Sequence, residues 1–226
     1  MIKIQNLSKS YGPKEVLKGI NAEFSPGKIY GIVGSNGAGK TTFFKCLGGL
    51  ELYDGQIDSD LGIIKNVLGY LPTIPEFMSR ITGWEYLKLV CMARGILKDD
   101  FEKENLFDLP LHQYAEFYST GMKKKLAFHG ILKQKNEVFI LDEPFNGVDI
   151  QSNILLFEII EELKKKNKYV LIASHIFSTL MELCDDILVL TDGVIQKKVE
   201  QEEFSALNKE LKAQFIADRK KKIIIE

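Results

Sequence analysis

The residues with the clearest chemistry form one short loop at positions 34–42. Their types follow the spacing of a phosphate-binding loop: a glycine, four free positions, then Gly-Lys and a hydroxyl residue. Small residues let the backbone curl so that several N–H groups point at phosphate oxygens. The loop consists of Gly34, Ser35, Asn36, Gly37, Ala38, Gly39, Lys40, Thr41 and Thr42. It predicts binding of a nucleoside triphosphate, with Lys40 at the β- and γ-phosphates and Thr41 as a ligand of Mg²⁺.

Two adjacent carboxylates, Asp142 and Glu143, follow one apolar run, and His175 follows a later one. Ligands of α/β sheets bind at the carboxyl ends of the strands, so we expect these three residues near the phosphate loop. Asp142 is predicted to hold the Mg²⁺, and Glu143 to polarise a water for attack on the γ-phosphate. A neutral His175 can contact that phosphate, whereas His112 and His129 lack such a setting and are interpreted as structural. A solvated acidic turn is the weaker interpretation of the carboxylates.

A further polar stretch begins at Ser119, in the position of a helix N-cap, and continues through Thr120, Gly121 and Met122 into three lysines. Basic residues near a helix N-terminus oppose its dipole, so this run fits an anion or an acidic surface nearby. An ordinary capped helix is the simpler interpretation of the stretch taken alone. We interpret each lysine run, at 123–125, 164–166 and 220–222, as a solvated helix face or a basic tail.

The elements that must position these residues are indicated by the hydrophobic pattern. Buried strands are predicted over residues 28–33, 137–141 and 169–173, and each ends at one of the polar sites. Helices are predicted over 41–50, 83–94, 119–134 and 151–166, the second with a capping box from Thr82 to Glu85. A late hairpin turns at Asp192-Gly193. The predicted fold is α/β, a P-loop NTPase sheet with helices on both faces.

The composition limits the classes of function. A chain of 226 residues with 45% hydrophobic residues can bury the core of one domain, with or without a subdomain. A net charge of -1 and a pI near 6.4 argue against a general nucleic-acid-binding surface. The three cysteines are far apart and suit reduced thiols in a cytosolic protein. No signal peptide and no apolar run of about 20 residues is found, so we expect a soluble chain.

The motifs, in this order, resemble the ATP-binding cassette (ABC) ATPases, the motor subunits of ABC transporters. The resemblance extends over about residues 2–199. It identifies residues 34–42 as the Walker A loop, Asp142 and Glu143 as the Walker B aspartate and the catalytic glutamate, 145–149 as the D-loop, and His175 as the switch histidine. It also identifies Tyr11, in the turn between the first two strands, as the adenine-stacking aromatic, and residues 118–122 as the signature motif.

The resemblance implies a nucleotide site that is shared by two chains. In the family, two ATPase subunits meet head to tail, and the signature of one closes over the ATP bound by the other. Ser119, Gly121 and Met122 are therefore expected to contact the ATP of a second subunit, identical or different. Opening and closing then drive an integral membrane permease. The implied cofactors are ATP and Mg²⁺, no nucleic acid is expected, and the implied location is the cytoplasmic face of the membrane.

Three positions depart from the family pattern. Thr120 and Met122 replace the usual Gly and Gln of the signature, and the resulting Gly-Met-Lys form resembles the subfamily of exporters and permeases of the ABC-2 type. Thr73 follows Tyr-Leu-Pro, where the family places a Gln or Glu that reaches both Mg²⁺ and the attacking water. Threonine is too short for both contacts, so we expect weakened coupling between the metal site and the permease.

The resemblance also divides the single domain into parts. Residues 1–72 and 136–200 are expected to form the catalytic core together with an antiparallel β subdomain near the N-terminus. Residues 73–135 are expected to form a small helical subdomain, shortened between 94 and 119. Residues 200–226 are expected to form a C-terminal helix and a basic tail.

Other functions fit parts of the sequence. A soluble ABC-type ATPase of translation, DNA or cluster assembly is an alternative, although the coiled coils or second cassette that such proteins usually carry are missing. A weakly hydrolysing regulatory cassette paired with an active one is favoured by Thr73 and disfavoured by Glu143. A GTPase is disfavoured because Asn167-Lys168 continues into Tyr169 instead of completing the guanine motif, and neither a GTPase nor a nucleotide kinase explains the signature.

Overall fold

The computed structural model describes residues 1–220, which form nine β-strands and six α-helices. The strands are β1 Ile2–Tyr11, β2 Lys14–Phe24, β3 Lys28–Val33, β4 Asp54–Ser59, β5 Leu68–Leu71, β6 Val138–Asp142, β7 Tyr169–Ala173, β8 Asp186–Thr191 and β9 Val194–Glu200. The helices are α1 Lys40–Leu47, α2 Gly83–Met92, α3 Thr120–Lys133, α4 Ile150–Lys165, α5 Phe177–Leu183 and α6 Phe204–Lys220. The predicted basic tail beyond residue 220 lies outside the described residues.

The larger sheet contains six strands in the order β5-β6-β7-β3-β8-β9. The first five are parallel, and β9 pairs antiparallel with β8. Nearly all residues of β3, β6 and β7 are buried, because helices cover parallel strands on both faces. Ala173 of β7 pairs with Ile32 of β3 on one side and with Asp142 of β6 on the other. The carboxyl ends of the three strands therefore meet at one edge of the sheet.

The predicted α/β architecture is confirmed. The strands predicted over 28–33 and 169–173 coincide with β3 and β7. The strand predicted over 137–141 is displaced by one residue, because Asp142 is itself paired with β7 and Glu137 precedes the strand. The hairpin at Asp192-Gly193 joins β8 to β9 as predicted.

Apolar side chains fill the space on each face of the larger sheet. On one face, α1 and the N-terminal strands pack together through Phe24, Phe43 and Phe44, which are fully buried. The ring of Phe24 also meets Tyr30 of β3 edge-on, with the ring centroids 4.8 Å apart. On the other face, α3, α4 and α5 contribute buried residues such as Phe128 and Leu156. Helices on both faces are thus confirmed.

The smaller sheet is antiparallel and has three strands in the order β2-β1-β4. A two-residue turn, Gly12-Pro13, joins β1 to β2, and Tyr11 pairs with Lys14 across it. Gly12 adopts a φ of 58°, which the turn requires and which glycine adopts without strain. This sheet corresponds to the predicted antiparallel β subdomain.

Helices α2 and α3 supply the regular structure of residues 73–135. The predicted capping box is present, because Thr82 and Glu85 bond each other's main-chain N–H groups at the start of α2. A Cβ at Gly130 would lie 2.9 Å from the ring of Tyr86, so glycine allows α3 to approach α2 closely. Between the two helices, the described chain forms only short 3₁₀ turns at Phe101–Glu104 and Ala115–Phe117.

The three cysteines are free and buried. Within residues 1–220, no helix combines the length and apolar character that crossing a bilayer requires.

Helix α3 carries a fully buried histidine, His129. Neither ring nitrogen has a hydrogen-bond partner among the described residues. Its ring lies edge-on to Phe107, with centroids 6.5 Å apart. Burial lowers the pKa of His129 to about 4, and the nearby ammonium of Lys133 adds to the effect. The folded protein therefore holds this imidazole neutral at a pH where the unfolded chain protonates it.

We expect the free energy of unfolding to fall as the pH drops from about 6.5 toward 4, because only the unfolded state binds the proton of His129. The loss from pH 7.5 to pH 5 is about 2 kcal/mol from this group. Urea denaturation of the wild type and of His129→Leu at both pH values measures it. The substitution should remove that part of the pH dependence, whereas the exposed-site control His112→Gln should keep it. Equal pH dependence in the wild type and His129→Leu would contradict the prediction.

Candidate nucleotide site

The phosphate loop joins β3 to α1, and the β8–β9 hairpin supports its backbone. A Cβ at Gly34 would lie 2.2 Å from the carbonyl oxygen of Leu190, so only glycine allows this approach. Gly193 donates its N–H to the carbonyl oxygen of Ala38 at 3.2 Å. Gly39 has a φ of 109° and forms the N-cap of α1. The positive end of the α1 dipole therefore follows the loop directly, as an anion site requires.

Lys40 lies folded back over the loop. Its Nζ donates hydrogen bonds to the carbonyl oxygens of Gly34 at 2.7 Å and Ser35 at 3.2 Å. Burial lowers the pKa of Lys40, and the carboxylates of Glu143 and Asp142 oppose that change. The ammonium thus lies close to both acids and can exchange its carbonyl partners for phosphate oxygens.

Thr41 and Asp142 are in direct contact. The Thr41 hydroxyl donates to Oδ2 of Asp142 at 2.6 Å, and Asp142 is almost fully buried at the end of β6. A hydroxyl and a carboxylate are hard oxygen ligands, and Mg²⁺ usually takes one or two such protein ligands together with phosphates and water. The donor set of this pair therefore fits Mg²⁺.

Glu143 and His175 form a second pair. The Nδ1 atom of His175 lies 2.8 Å from Oε2 of Glu143. The Glu143 side chain is only 12% exposed, whereas that of His175 is 56% exposed. The main-chain N–H of Glu143 donates to the carbonyl oxygen of Ala173 at 2.9 Å, which ties the residue to the end of β7. Glu143 is thus held through both its carboxylate and its main chain beside the phosphate loop.

Most of these residues border one cleft of about 480 Å³. The loop contributes Asn36, Gly37, Gly39, Lys40, Thr41 and Thr42, and the sheet edge contributes Thr73, Asp142 and Glu143. Lys14 and Val16 of β2 complete the lining and were not predicted from the sequence. Their presence depends on how the β1–β2 hairpin packs beside the loop, and no local sequence pattern indicates that packing.

The predicted site residues that do not line this cleft number eight: Gly34, Ser35, Ala38, His175, Tyr11, Ser119, Gly121 and Met122. His175 is connected to the cleft through its contact with Glu143. Tyr11 is 44% exposed at the end of β1, and the Lys9 ammonium lies 4.8 Å from its ring centroid. Ser119 caps α3 by accepting the main-chain N–H of Met122 at 3.2 Å. A Cβ at Gly121 would lie 2.5 Å from the carbonyl oxygen of Gly147, so this glycine packs against the segment after β6. Within one chain, the signature stretch and the phosphate loop remain separate.

The interpretation of residues 123–125 as a solvated helix face was wrong for Lys124. Its side chain is 1% exposed, and its Nζ donates to the carbonyl oxygens of Glu143 and Asn146. A sequence signal for this burial exists. Lys124 stands three, four and seven residues before Ala127, Phe128 and Ile131, which are also buried, so it lies on the apolar face of α3.

The match to a known protein family covers the phosphate loop and the two carboxylates. Residues 17–146 match the family model described as "ABC transporter", and this range is more than half of the chain. The chain belongs to the ABC transporter family. The predicted resemblance to ATP-binding cassette ATPases is thereby confirmed.

Relatives of this ABC protein are similar over about three quarters or more of their own length. A lantibiotic transport ATP-binding protein, SrtF of Streptococcus pyogenes, is 32% identical over 206 residues, which cover 86% of this chain and 89% of SrtF. A bacitracin transport ATP-binding protein, BcrA of Enterococcus faecalis, is 29% identical and covers 97% of this chain and 76% of BcrA. The solved structure of an ATP-binding subunit of an ABC transporter superposes with a TM-score of 0.83 at 27% identity, covering 90% of this chain and 91% of that one.

Replacing Lys40 by methionine is expected to weaken ATP binding by about 10- to 100-fold, because charge-assisted hydrogen bonds to phosphate are lost. Titration of the protein with ATP, followed by calorimetry, measures the dissociation constant. Lys45→Met removes a lysine from the last turn of the same helix and serves as the control, with affinity close to wild type. Equal affinities of the Lys40→Met and Lys45→Met proteins would show that Lys40 does not hold the phosphates.

Proposed function

We propose that this chain is the ATP-binding and ATP-hydrolysing subunit of an ABC transporter and drives a separate membrane-spanning permease. The observation that carries the proposal is the pair of contacts at one cleft, Thr41 with Asp142 and Glu143 with His175. A phosphate loop alone accounts for binding. A fixed carboxylate next to it accounts for hydrolysis, and membership of the ABC transporter family accounts for the coupling to transport.

The loop and α1 bind the triphosphate in this proposal. Main-chain N–H groups and the helix dipole stabilise the phosphate charge, and Lys40 leaves the carbonyl oxygens of Gly34 and Ser35 for the phosphates. Thr41 and Asp142 hold the Mg²⁺, which neutralises charge on the phosphates when bound. Tyr11 lies on the hairpin that also contributes Lys14 and Val16 to the cleft. That position supports its role as the aromatic that stacks on adenine.

Glu143 orients and polarises the attacking water. The mostly buried carboxylate accepts a hydrogen bond from the water and draws its proton as the oxygen approaches the γ-phosphate. His175 holds the carboxylate in place through the Nδ1–Oε2 contact. In this proposal it also contacts the γ-phosphate. The site then needs a further group over the open side of the phosphates, because Ser119, Gly121 and Met122 of the same chain lie away from the cleft.

A second cassette, identical or different, supplies that group. Ser119 and Thr120 are exposed at the N-terminus of α3, where main-chain N–H groups and the helix dipole favour an anion. Docked head to tail, the α3 N-terminus of each subunit covers the phosphates of the other. ATP then stabilises the dimer, and hydrolysis releases it. The dimer is expected to work at the cytoplasmic face of a membrane, bound to its permease.

The Glu143→Gln protein is expected to form a stable dimer in saturating Mg·ATP, because the amide binds water without accepting its proton. Light scattering after size-exclusion chromatography measures the mass. Wild-type protein and Glu143→Gln in ADP should be monomeric, and Glu143→Gln combined with Lys40→Met should lose the ATP-dependent dimer. A Glu143→Gln protein that remains monomeric at saturating ATP would count against the homodimer. Wild-type protein that shows no ATPase activity, either alone or mixed with its permease, would contradict the proposed function.

Thr73 is the point at which we expect coupling to the permease to be weak. It lines the cleft, and the chain continues into Ile74, which is 71% exposed, and Met78, which is 59% exposed. Exposed apolar residues next to the cleft suit contact with a partner protein. The short Thr73 side chain joins this surface to the metal site less directly than a glutamine does.

Thr73→Gln is therefore expected to raise the permease-stimulated ATPase rate about two- to tenfold, since its amide reaches both the metal site and the water. The assay compares the rate of the isolated subunit with that of the complex in lipid vesicles. Thr73→Val, which keeps the size of the side chain, is the control and should behave as wild type. An unchanged rate and unchanged stimulation in Thr73→Gln would refute the weakened coupling.

A further inference from the structure

Lys124 is a buried cation, and among the described residues it forms no ion pair with an acidic side chain. Among the residues whose burial the structure describes, it is the only lysine that is buried, at 1% exposure. Both hydrogen bonds of its Nζ go to main-chain carbonyl oxygens, at 2.6 Å on Glu143 and 3.0 Å on Asn146. Burial lowers the pKa of Lys124, while the charges of Glu143 and Asp142 favour the ammonium. Burying an ammonium group costs free energy of folding, which the two hydrogen bonds to carbonyl oxygens offset.

The two carbonyl groups belong to the turn that follows β6. Glu143 opens this turn with a φ of 55°, a left-handed conformation that is unfavourable for a residue with a side chain. Its carbonyl oxygen also accepts the N–H of Asn146 at 3.3 Å, which closes the turn. Lys124 bonds both ends of the turn at once. The ammonium therefore fixes the backbone that sets the direction of the Glu143 side chain.

The first turns of α3 touch the same segment at two more points. Gly121 packs against the carbonyl group of Gly147, and the Nζ of Lys125 lies 3.0 Å from Oδ2 of Asp149. Asp149 in turn caps α4 by accepting the N–H of Ser152 at 2.8 Å. Helix α3 thus contacts the chain between β6 and α4 at Glu143, Asn146, Gly147 and Asp149, and Lys124 makes the contacts nearest to Glu143.

We propose that Lys124 is a positioning residue for Glu143, and that it links the α3 N-terminus to the carboxylate through the turn at residues 143–146. The inference rests on the proposed function, in which Glu143 activates water and the α3 N-terminus meets the nucleotide of the second subunit. A shift of α3 on docking then moves the ammonium and the turn that it holds. Each subunit senses, through Lys124, whether its α3 is engaged before its own Glu143 is aligned.

A buried lysine can also contribute to stability alone, and this alternative makes a different prediction. Loss of a purely structural lysine lowers stability and the amount of active protein without acting through one catalytic group. Loss of a positioning residue lowers kcat and leaves nucleotide affinity unchanged, and this effect disappears when Glu143 can no longer act as a base.

Lys124→Met keeps the length of the side chain and removes its donors. We expect kcat to fall about tenfold or more, because a small displacement of a catalytic group is costly, with the dissociation constant of ATP changed less than about twofold. In the Glu143→Gln background, single-turnover hydrolysis should be the same with and without Lys124→Met. Lys88→Met on α2, an exposed lysine of the same helical part, is the matched control and should keep the wild-type kcat.

Urea denaturation checks that each variant is folded. If Lys124→Met does not fold, Lys124→Gln takes its place, because its amide retains donors, and the same pattern is expected with a smaller fall in kcat. Wild-type kcat in Lys124→Met, or an equal loss in the presence and absence of Glu143→Gln, would overturn the role of Lys124 and leave the proposed function intact. Wild-type protein that does not hydrolyse ATP would instead overturn the proposed function, and this inference with it.

Discussion

The hydrogen bond between Thr41 and Asp142 connects two strands that are not neighbours. The phosphate loop follows β3 and Asp142 ends β6, and β7 lies between them in the sheet. Two strand spacings amount to about 10 Å, so the first turn of α1 must extend across β7 to make a contact of 2.6 Å. This is possible only because Ala173 pairs with both Ile32 and Asp142, which aligns the three strand ends. A register change in either pair would separate the loop from the acids.

The register explains which parts of the site the sequence could predict. Loop 34–42, Asp142, Glu143 and His175 lie at the end of a buried strand or just after it, and local hydrophobic runs are enough to indicate such positions. The sequence could not show that Lys14 and Val16 line the cleft, because their place depends on how the β1–β2 hairpin packs against the loop, which no local pattern indicates. The burial of Lys124 was missed for another reason. Its charge suggested a side chain exposed to solvent, although its spacing from Ala127 and Phe128 placed it on the buried face of α3.

The backbone at Glu143 combines strain with many restraints. Its positive φ is held by the bond from its N–H to Ala173, by the two bonds that its carbonyl oxygen accepts, and by the His175 contact at the carboxylate. Strained residues that persist in folded proteins are usually fixed in this way by their surroundings, often where function depends on direction. At this site the restraints come from β7, from α3 and from the segment after β7. The position of the Glu143 carboxylate therefore depends on three separate parts of the molecule.

The contact between Gly193 and Ala38 has a consequence for the order of events during synthesis. The phosphate loop leaves the ribosome among the first fifth of the chain, yet the turn that supports it follows more than 150 residues later. Strand β8, which precedes that turn, is also the neighbour that β3 needs on one side. A nascent chain that ends before this hairpin has the residues of the loop but lacks their support. Nucleotide can then stabilise the domain only after almost all of it has emerged, so the early chain must avoid aggregation without help from its ligand.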